Sequence, residues 1–545
     1  MQGLMQHWSL TLDKIIVHAG DNCGERAIVS RDSDGEIQVS DYRTALSVAR
    51  RFSAALARRG IRQGDRVATM MWNDADHFTA WYGTMGMGAV LHTLNPRLHP
   101  DQIAWIAGHG GARLLVVENE FRSLVDGIIE RLPTIELVVI SGLCGSAEST
   151  GPVETVAFSE FVQSEGEAGW GAFNEDSAAG LCYTSGTTGK PKGVLYSHRS
   201  NFLHTLAINQ PNGLAIGAND VVLPVVPMFH ANAWGLVFAA PMAGAELVLP
   251  GRQLDGESLE ALINLRGVTV AVGVPTVWED MLRHLRLSGR GVPSLRRVVV
   301  GGSAVSPAIV RQLTEDYGVD VVHAWGMTEM SPLGTITSAV PRLPHHDQIA
   351  HTLRQGGVLF PVEAEVFDAK GLACAHDDAS AGSLRVRGPS VVREYYGTDV
   401  TCLDENGWFD TGDIAVIDKA GSVRLVDRAK DVIKSGGEWI SSIELENLAA
   451  THLAVRRAAV IGVADDKWGE RPLLIVESQY KGAPTPEELI EHLRPSVPKW
   501  WLPSHFGYCE IPLGATGKID KMALRRIVDS ADGPEIIRAS GAKGR

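Results

Sequence analysis

The chain has 545 residues, more than one hydrophobic core supports, and this length predicts two or more domains. Apolar residues make up 45% of it and charged residues 21%, the proportions of an ordinary soluble globular enzyme. The net charge of −14 argues against non-specific binding to nucleic acids or anionic membranes. Any phosphate site must therefore be a local basic pocket.

The six cysteines are scattered, and no C-x-x-C pair occurs. This excludes a zinc ribbon and argues against a disulfide scaffold in a chain of this size. Residues 1–8 lack the basic start and the apolar core of a signal peptide. The most apolar region, residues 221–249, is broken by prolines and polar residues before it reaches membrane length. We expect a soluble, cytoplasmic protein without a transmembrane segment.

Helices and strands alternate along the N-terminal half. Helical spacing of apolar residues predicts a helix over residues 42–59, which Gly60 ends, and another over residues 76–87. Apolar runs predict strands at residues 67–72, 89–93, 114–117 and 137–140. The alternation predicts a layered α/β architecture. Residues 141–170 are rich in Gly, Ser and Glu, and we expect them to form a surface excursion.

The alternation resumes with strands near Val221, Glu246, Thr269 and residues 297–300. Past about Val362 the strand-like runs become short and are separated by Gly and Asp turns, which predicts a small β-rich subdomain. The last part of the chain has its own predicted helix at residues 443–451 and strands at residues 458–463 and 473–477. We place a domain boundary at residues 427–430.

One loop, residues 183–193, combines four Ser and Thr hydroxyl groups, glycines and two lysines. Glycines let the backbone approach a polyanion, and successive N–H groups form an anion-binding nest. The spacing differs from that of a Walker-type loop, because Pro191 follows Lys190 and prevents a helix from starting there. The loop therefore favours ATP binding outside the Walker class, although a flexible surface loop would also fit the composition.

Three further motifs follow. In residues 227–235, His230 interrupts an apolar run, and Trp234 would share its helical face and could wall a pocket. Residues 323–329 offer an aromatic ring for adenine, a hydroxyl for phosphate and a carboxylate for Mg²⁺. Residues 408–413 form a turn with two carboxylates, one of which could accept ribose hydroxyls. Taken alone, a core histidine, a surface glutamate and a common β-turn explain these three motifs as well.

Two motifs lie in the C-terminal part. Residues 427–440 mix charges with a Gly pair at the proposed boundary, and residues 514–521 place a lysine after Gly-x-x-Gly. Alone, the second fits a solvated basic tail. In their order along residues 42–526, however, the six motifs resemble the adenylate-forming superfamily of acyl-CoA synthetases, luciferases and peptide-synthetase adenylation domains. Residues 226–235, 273–278 and 433–442 are most similar to bacterial medium- and long-chain fatty-acyl-CoA synthetases and the related 3-methylmercaptopropionate-CoA ligases.

The resemblance implies a fold of class α/β with two domains. Residues 1–427 would form a large N-terminal adenylation domain of several subdomains, with layered α/β sheets and a small β subdomain. Residues 428–545 would form a small mobile α+β lid that rotates about a hinge at Lys430. The implied reaction is ATP-dependent: a carboxylate attacks MgATP to give acyl-AMP, and CoA then displaces AMP. Mg²⁺ would accompany ATP, and CoA would be the co-substrate.

The resemblance also assigns site residues. The residues expected to act in catalysis are Lys518, Thr328, Glu329 (also the Mg²⁺ ligand), His230 and Lys434. The residues expected to bind ATP or AMP are Thr184, Ser185, Gly186, Thr187, Thr188, Lys192, Gly302, Ser303, Ala304, His323, Ala324, Trp325, Gly326, Asp413 and Arg428. Trp325 stands where the family more often has Tyr. The residues expected to bind CoA are Ser435, Gly436, Gly437, Glu438 and Trp439. An apolar acyl pocket is expected from Trp234, Gly301, Val305, Met327 and Met330.

The acid substrate is less sharply defined. His230 stands where amino-acid-activating relatives have an Asp, which argues against amino acids. The apolar pocket favours a medium- or long-chain fatty acid over a 3-methylthiopropionate or an aryl acid, but hydrophobic pockets discriminate weakly between chain lengths, so all three stay open. A ligase that loads a carrier protein, a luciferase-like oxygenase and a non-catalytic scaffold are three rival functions. Fatty-acyl relatives often form dimers, so a homodimer is also expected.

Overall fold

The computed structural model describes residues 1, 3–143, 153–163, 168–184, 190–337, 345–436, 438–479, 482–514, 517–530 and 533–538. Helices there are α1 (Asp13–Asn22), α2 (Tyr42–Arg58), α3 (Ala75–Gly86), α4 (Pro100–Gly110), α5 (Arg122–Asp126), α6 (Phe158–Phe161), α7 (His198–Ile208), α8 (Leu236–Ala243), α9 (Gly256–Arg266), α10 (Pro275–Ser288), α11 (Pro307–Arg311), α12 (His345–Thr352), α13 (Ser442–Ala449), α14 (Pro486–Leu493) and α15 (Lys521–Val528).

Strands in the same described residues, up to position 337, are β1 (Ala27–Arg31), β2 (Ile37–Asp41), β3 (Arg66–Met70), β4 (Val90–Thr93), β5 (Ala112–Glu118), β6 (Leu137–Ser141), β7 (Glu154–Ala157), β8 (Ala178–Tyr183), β9 (Gly193–Ser197), β10 (Val221–Pro224), β11 (Glu246–Leu249), β12 (Val270–Gly273), β13 (Arg297–Gly301), β14 (Asp320–Gly326) and β15 (Leu333–Ile336). Later strands are β16 (Gly356–Val358), β17 (Glu363–Phe367), β18 (Gly382–Arg387), β19 (Phe409–Ile417), β20 (Ser422–Arg428), β21 (Ile433–Ser435), β22 (Glu438–Ile440), β23 (Val455–Asp465), β24 (Gly469–Ser478), β25 (His505–Tyr508) and β26 (Ile537–Arg538).

The two large sheets belong to the N-terminal part of the chain. The first has the order β7-β6-β5-β3-β4-β8-β9 and is parallel except for the final β8–β9 pair. The second has the order β17-β18-β19-β20-β16-β15-β14-β13-β12-β10-β11-β1-β2. Its strands from β14 to β1 are parallel, and its two ends are antiparallel. The expected small β subdomain, β17 to β20, thus continues the second sheet through β16.

The main core lies between these two sheets. Side chains from α1, α2, α3 and α8 pack in one cluster with residues of both sheets, such as Leu91 of the first and Val272 of the second. Helix α2 begins where the Asp41 carboxylate accepts the N–H of Thr44 at 2.7 Å, as an N-cap does. Helices buried between sheets give the layered α/β arrangement that the sequence predicts, and this fold prediction is confirmed.

The C-terminal part builds a separate sheet of the order β22-β21-β24-β25-β26, with β23 paired to β24. Helices α13 and α14 pack on one face of it, around Leu445, Leu474 and Leu489. Helix α15 packs on the other face, where Leu524 contacts the cluster of Ile461 and Leu473. This sheet flanked by helices is the α+β unit that the sequence predicts.

The described residues between positions 141 and 170 form more than the expected surface excursion. Strand β7 pairs with β6, and α6 packs its Phe158 and Phe161 in a core cluster. The sequence did not predict this strand, because it is short and its flanking residues are rich in Gly, Ser and Glu.

A transmembrane segment was not expected from the sequence. In the residues that the structure describes, no helix is long and apolar enough to cross a membrane.

Candidate active site

The glycine- and hydroxyl-rich loop joins β8 to β9. At its base the N–H of Thr184 donates to the carbonyl of Lys192 at 2.9 Å, which closes the antiparallel pair. Both lysines of the loop lie over aromatic rings: Lys190 Nζ is 5.5 Å from the Trp105 ring centroid, and Lys192 Nζ is 4.6 Å from that of Tyr395. Predicted residues Ser185, Gly186, Thr187 and Thr188 lie outside the described residues.

Thr328 and Glu329 form a short turn that follows β14, and both are buried. The Tyr196 hydroxyl donates to the Thr328 carbonyl at 2.8 Å, and the N–H of Val392 donates to the Glu329 carbonyl at 2.8 Å. The Tyr395 hydroxyl donates to Oε1 of Glu329 at 3.0 Å. The backbone and the carboxylate of this turn are therefore held by separate groups.

Asp413 lies on β19 beside two partners. Its Oδ1 pairs with Nε of Arg428 at 2.7 Å across the β19–β20 pair, and its Oδ2 accepts the indole N–H of Trp325 at 3.0 Å. Burial raises the pKa of Asp413, while Arg428, Trp325 and Lys518 act in the opposite direction. Trp325 and Asp413 are thus in contact although they are 88 positions apart in the chain. Arg428 contacts Asp413 because the two residues are paired in register on the neighbouring strands β19 and β20.

Lys518 comes from the C-terminal part and reaches the N-terminal part at Gly302. A Cβ placed on Gly302, whose φ is +82°, would lie 3.1 Å from Cε of Lys518 and 3.5 Å from Cζ2 of Trp234. Burial, followed by the charge of Arg428, lowers the pKa of Lys518 from 10.5 to about 8, and Asp413 opposes this. Lys518 therefore lies near both the Asp413–Arg428 pair and Gly302, which the Trp234 ring also contacts.

His230 and Trp234 flank an unusual turn. Residues 231–234 have φ between +44° and +57°, so the turn is left-handed, and Gly235 follows at +84°. Left-handed backbone is costly for residues with a Cβ. The prediction that His230 and Trp234 share a helical face is wrong, because the backbone between His230 and the start of α8 is left-handed and forms no right-handed helix. Burial, followed by the charge of Lys518, lowers the pKa of His230 to about 4.

The expected adenine-binding residues lie at the ends of two neighbouring strands. Gly301 of β13 pairs in register with Ala324 of β14, and Ser303 and Ala304 follow β13. The backbone of His323 exchanges hydrogen bonds with Thr337, and burial lowers the pKa of its imidazole to about 4. Ser303 is exposed and Ala304 is half-buried, while Gly326 ends β14 just before the Thr328 turn.

The predicted acyl-pocket residues are only partly together. Trp234 lies against Gly301, since a Cβ on that glycine would be 3.0 Å from Cη2 of the indole. Val305 packs in a different hydrophobic cluster beneath β13, and Met330 packs in a third with Trp325. Met327 is half-buried against that third cluster. The acyl pocket stays a prediction, with Trp234 and Gly301 as its contacting pair.

The predicted CoA residues lie in the C-terminal part, with Lys434 paired in register to Trp439 across β21 and β22. Lys434, Glu438 and Trp439 are exposed, whereas Ser435 is buried. The N–H of Gly436 donates to the Trp468 carbonyl at 2.7 Å, and Gly437 lies outside the described residues. Lys430 is exposed in a turn closed by the N–H of Asp431 and the carbonyl of Arg428 at 2.9 Å. Lys434 and Lys518 are thus differently placed: one is exposed, and the other reaches Gly302.

Sequence reasoning missed Tyr395 and Tyr196. Neither belongs to one of the six motifs on which the resemblance rests, and each contacts Thr328 or Glu329 from a strand or segment far away in the chain. The adjacent tyrosines at positions 395 and 396 before Gly397 are the only signal in the sequence, and a tyrosine pair alone does not indicate a ligand site.

The residues around Glu329 suit a magnesium ion brought by a nucleotide. Mg²⁺ prefers hard oxygen ligands and is usually bound by one or two carboxylates together with substrate phosphates. Glu329 is buried, and within the described residues its carboxylate has the Tyr395 hydroxyl as hydrogen-bond partner and no ion-pair partner. A buried carboxylate with one neutral partner is stabilised by a cation. The described part of the chain contains no cluster of three or more metal-ligating side chains.

Comparisons with known proteins identify the family. The model of the AMP-binding enzyme family matches residues 17–396, and that of the AMP-binding enzyme C-terminal domain matches residues 444–518. The 3-methylmercaptopropionyl-CoA ligase of Ruegeria lacuscaerulensis is 42% identical over 536 residues, which cover 96% of this chain and 98% of the relative. The medium-chain-fatty-acid–CoA ligase of Ectopseudomonas oleovorans is 40% identical over 533 residues, 96% of this chain and 97% of the relative.

A crystal structure of an anthranilate CoA ligase with anthranoyl-AMP has a TM-score of 0.85 at 23% identity, and the match covers 96% of this chain and 98% of that one. At this identity the likeness shows the fold. The resemblance drawn from the six motifs is confirmed by the family models and the two relatives. The chain therefore belongs to the AMP-binding enzyme family of the adenylate-forming superfamily and is an AMP-forming acid–thiol ligase that uses ATP and CoA.

Proposed function

We propose that this ligase joins a medium- or long-chain fatty acid, or a similar apolar carboxylate, to CoA through an acyl-AMP intermediate. The observation that carries the proposal is the position of Lys518, which lies near the buried Asp413 and its partner Arg428 and reaches Gly302 beside the Trp234 ring. A cation there can bind the acid carboxylate and the α-phosphate together, which offsets the repulsion between two anions. The reaction needs no protein nucleophile, so positioning and charge stabilisation carry it.

In the first half-reaction the loop from Thr184 to Lys192 would hold the β- and γ-phosphates of MgATP. The Thr328 hydroxyl would bind the α-phosphate, and Glu329 would bind the magnesium ion of the nucleotide. Asp413 would accept the ribose hydroxyls with Arg428 beside it. The ends of β13 and β14, from Gly302 to Ala304 and from His323 to Gly326, would frame the adenine. His230, neutral at pH 7 with a pKa of about 4, would line the site near the carboxylate without adding charge.

In the second half-reaction CoA must reach the acyl-AMP. We place the domain boundary between residues 427 and 428 and the hinge at Lys430, which is exposed in a turn between β20 and β21. Rotation about this turn would withdraw Lys518 and bring in the exposed face of Lys434, Glu438 and Trp439. Ser435, Gly436 and Gly437 would complete the CoA tunnel, and Lys434 would assist thioester formation.

A short thioether acid is the second candidate. Relatives named 3-methylmercaptopropionyl-CoA ligase are 42% identical to this chain. The Trp234 ring lies against Gly301 and Gly302, and Lys518 contacts the same Gly302, so in the proposed pocket this indole would limit the space for an acyl chain. A short acid such as 3-methylthiopropionate would need less of this space than a long-chain fatty acid.

The test is CoA-dependent AMP release with a panel of acids, from propionate and 3-methylthiopropionate through C16 to cinnamate-type aryl acids. An optimum at C6 or longer supports the fatty-acid proposal, and an optimum at 3-methylthiopropionate supports the second candidate. Aryl-acid preference contradicts both. Pyrophosphate release without CoA-dependent turnover would instead indicate a ligase that loads a carrier protein.

We also propose a cytoplasmic location and a homodimer. Use of ATP and CoA supports the location, together with the five free cysteines in the described residues. The homodimer is supported by the resemblance to fatty-acyl-CoA synthetases, and sedimentation equilibrium of the purified protein tests it directly.

A further inference from the structure

We propose that Tyr395 is a positioning residue that joins the two halves of the MgATP site. Its hydroxyl orients the Glu329 carboxylate toward the metal ion, and its ring holds the Lys192 ammonium near the phosphates. The inference rests on the proposed function, since it assigns Glu329 to Mg²⁺ and Lys192 to the triphosphate. It adds a residue outside the recognised motifs.

The hydroxyl contact fixes a carboxylate that would otherwise rotate. Glu329 Oε1 accepts from the Tyr395 hydroxyl at 3.0 Å, which leaves Oε2 for a metal ion. The Glu329 carbonyl accepts from the N–H of Val392 at 2.8 Å, so the backbone and side chain of Glu329 are held from the same segment. A ligand whose own hydrogen bond fixes its orientation binds a metal more tightly.

The ring contact controls the lysine. Lys192 Nζ lies 4.6 Å from the Tyr395 ring centroid, within the distance of a cation–π interaction. Lys192 is otherwise exposed, and a long exposed side chain samples many rotamers. The Cys402 thiol reports the same closeness, because its pKa is raised by burial and by Glu329 and lowered by Lys192. The Glu329 carboxylate and the Lys192 ammonium therefore both lie close to Tyr395 and Cys402.

The backbone around Tyr395 is hydrogen-bonded both to the phosphate loop and to the Glu329 turn. The N–H of Tyr396 donates to the Gly193 carbonyl at 2.8 Å, at the base of the phosphate loop. Val392 holds the Glu329 turn, three residues before Tyr395. The ring is thus anchored to β9 on one side and to the turn after β14 on the other. Because all these residues precede the proposed hinge, the arrangement would persist when the lid rotates.

The two contacts can be separated experimentally. Tyr395→Phe removes the hydroxyl and keeps the ring, and Tyr395→Leu removes both. Tyr396→Phe is the matched control. The Tyr396 hydroxyl donates to the Gly110 carbonyl at 3.4 Å and not to Glu329. Nucleotide affinity is measured by isothermal titration calorimetry, once with excess Mg²⁺ and once with ATP in EDTA.

We expect Tyr395→Phe to weaken MgATP binding about tenfold, the factor for one hydrogen bond to a charged group, and to leave metal-free ATP binding at the wild-type value. Tyr395→Leu should weaken both. Tyr396→Phe should change neither. Equal loss of both affinities in Tyr395→Phe, or no loss of either, would overturn the inference, and melting curves of each variant identify unfolding. If wild type bound no ATP, the proposed function would fail instead.

Discussion

Trp325 donates its indole N–H to Oδ2 of Asp413 at 3.0 Å, while Arg428 holds Oδ1 at 2.7 Å. Each oxygen of this buried carboxylate thus has one partner before any nucleotide binds. Each also keeps one lone pair free, since a carboxylate offers about four acceptor positions. A ribose would therefore meet an acceptor whose orientation is already fixed, which lowers the entropic cost of binding.

The first prediction concerns the Trp325 donor. Trp325→Phe keeps an aromatic ring but removes the N–H, so the KM for ATP should rise about tenfold, as for one lost hydrogen bond to a charged group. The maximal rate at saturating ATP should change less. Initial-rate kinetics of ATP–pyrophosphate exchange measure both. Trp8→Phe, at an exposed tryptophan near the N-terminus, is the control and should match wild type.

The second prediction concerns Gly302. Its φ of +82° disfavours any side chain, and a Cβ would meet Lys518 and Val274 at 3.1 and 3.3 Å. Gly302→Ala should lose about 1–2 kcal/mol of stability from the backbone conformation. Because Lys518 must also shift by a few tenths of an ångström to make room, adenylation should fall by roughly tenfold, less than the cost of misplacing a group by a full ångström.

Gly267→Ala is a matched control for this substitution. Gly267 also has positive φ, +63°, but a Cβ there meets nothing within 4 Å. Chemical denaturation should show similar losses of stability in the two variants, and only Gly302→Ala should show slower ATP–pyrophosphate exchange. Normal exchange in Gly302→Ala would show that Lys518 does not need the space above this glycine.

The sequence anticipated the layers and much of the site, because both depend on local patterns. The predicted helix at residues 42–59 matches α2 within one residue, since apolar spacing and the Asp41 cap act within a few positions. The motifs also pointed to Asp413 and Arg428, which are neighbours across one strand pair.

Contacts between distant residues could not be predicted in this way. Tyr395 touches Glu329 across 66 positions, and the use of the Trp325 N–H by Asp413 spans 88. No pattern in one sequence encodes such pairs. The left-handed turn after His230 was likewise missed, because Ala, Asn and Trp do not signal positive φ as glycine does.

The third prediction concerns pH. The pKa of Lys518 is lowered to about 8, so this lysine loses its proton as the pH rises through 8, and with it the charge that the proposed function assigns to adenylation. The kcat/KM for ATP in pyrophosphate exchange should therefore fall about tenfold per pH unit above 8, because this constant reports the free enzyme. Bound phosphates raise the lysine pKa, so kcat should decline at higher pH.

Three variants test whether Lys518 causes this loss of activity above pH 8. Lys518→Arg keeps a cation that does not titrate in this range. This variant should be less active than wild type, but its kcat/KM should no longer fall above pH 8. Lys518→Ala should lose exchange altogether while it still transfers synthetic acyl-AMP to CoA. Lys434→Ala should do the reverse, with exchange retained and thioester formation slowed. If kcat/KM of Lys518→Arg still fell above pH 8, a group other than Lys518 would be responsible for the fall.

Acidic residues also cluster at the carboxyl ends of β3 and β5. The Glu118 carboxylate accepts the N–H of Trp72 at 2.9 Å, and Ser141 donates to Asp76 at 2.7 Å. Burial is the main cause that raises the pKa of Glu118 to about 7, with Glu120 adding to it and Arg252 opposing it. The pKa values of Asp74 and Asp76 are also raised by burial.

The fourth prediction follows from this cluster. Because the folded pKa of Glu118 lies above its unfolded value of 4.5, its contribution to stability is complete below pH 4.5 and is lost as the pH rises through 7. Glu118→Gln keeps an acceptor for the Trp72 N–H and removes the charge, so it should stabilise the protein by roughly 2 kcal/mol at pH 8 and by much less at pH 5. Urea unfolding at both pH values measures this difference. Glu136→Gln, at an exposed carboxylate paired with Arg113, is the control and should show no such gain at pH 8, since that pKa is lowered by its partner.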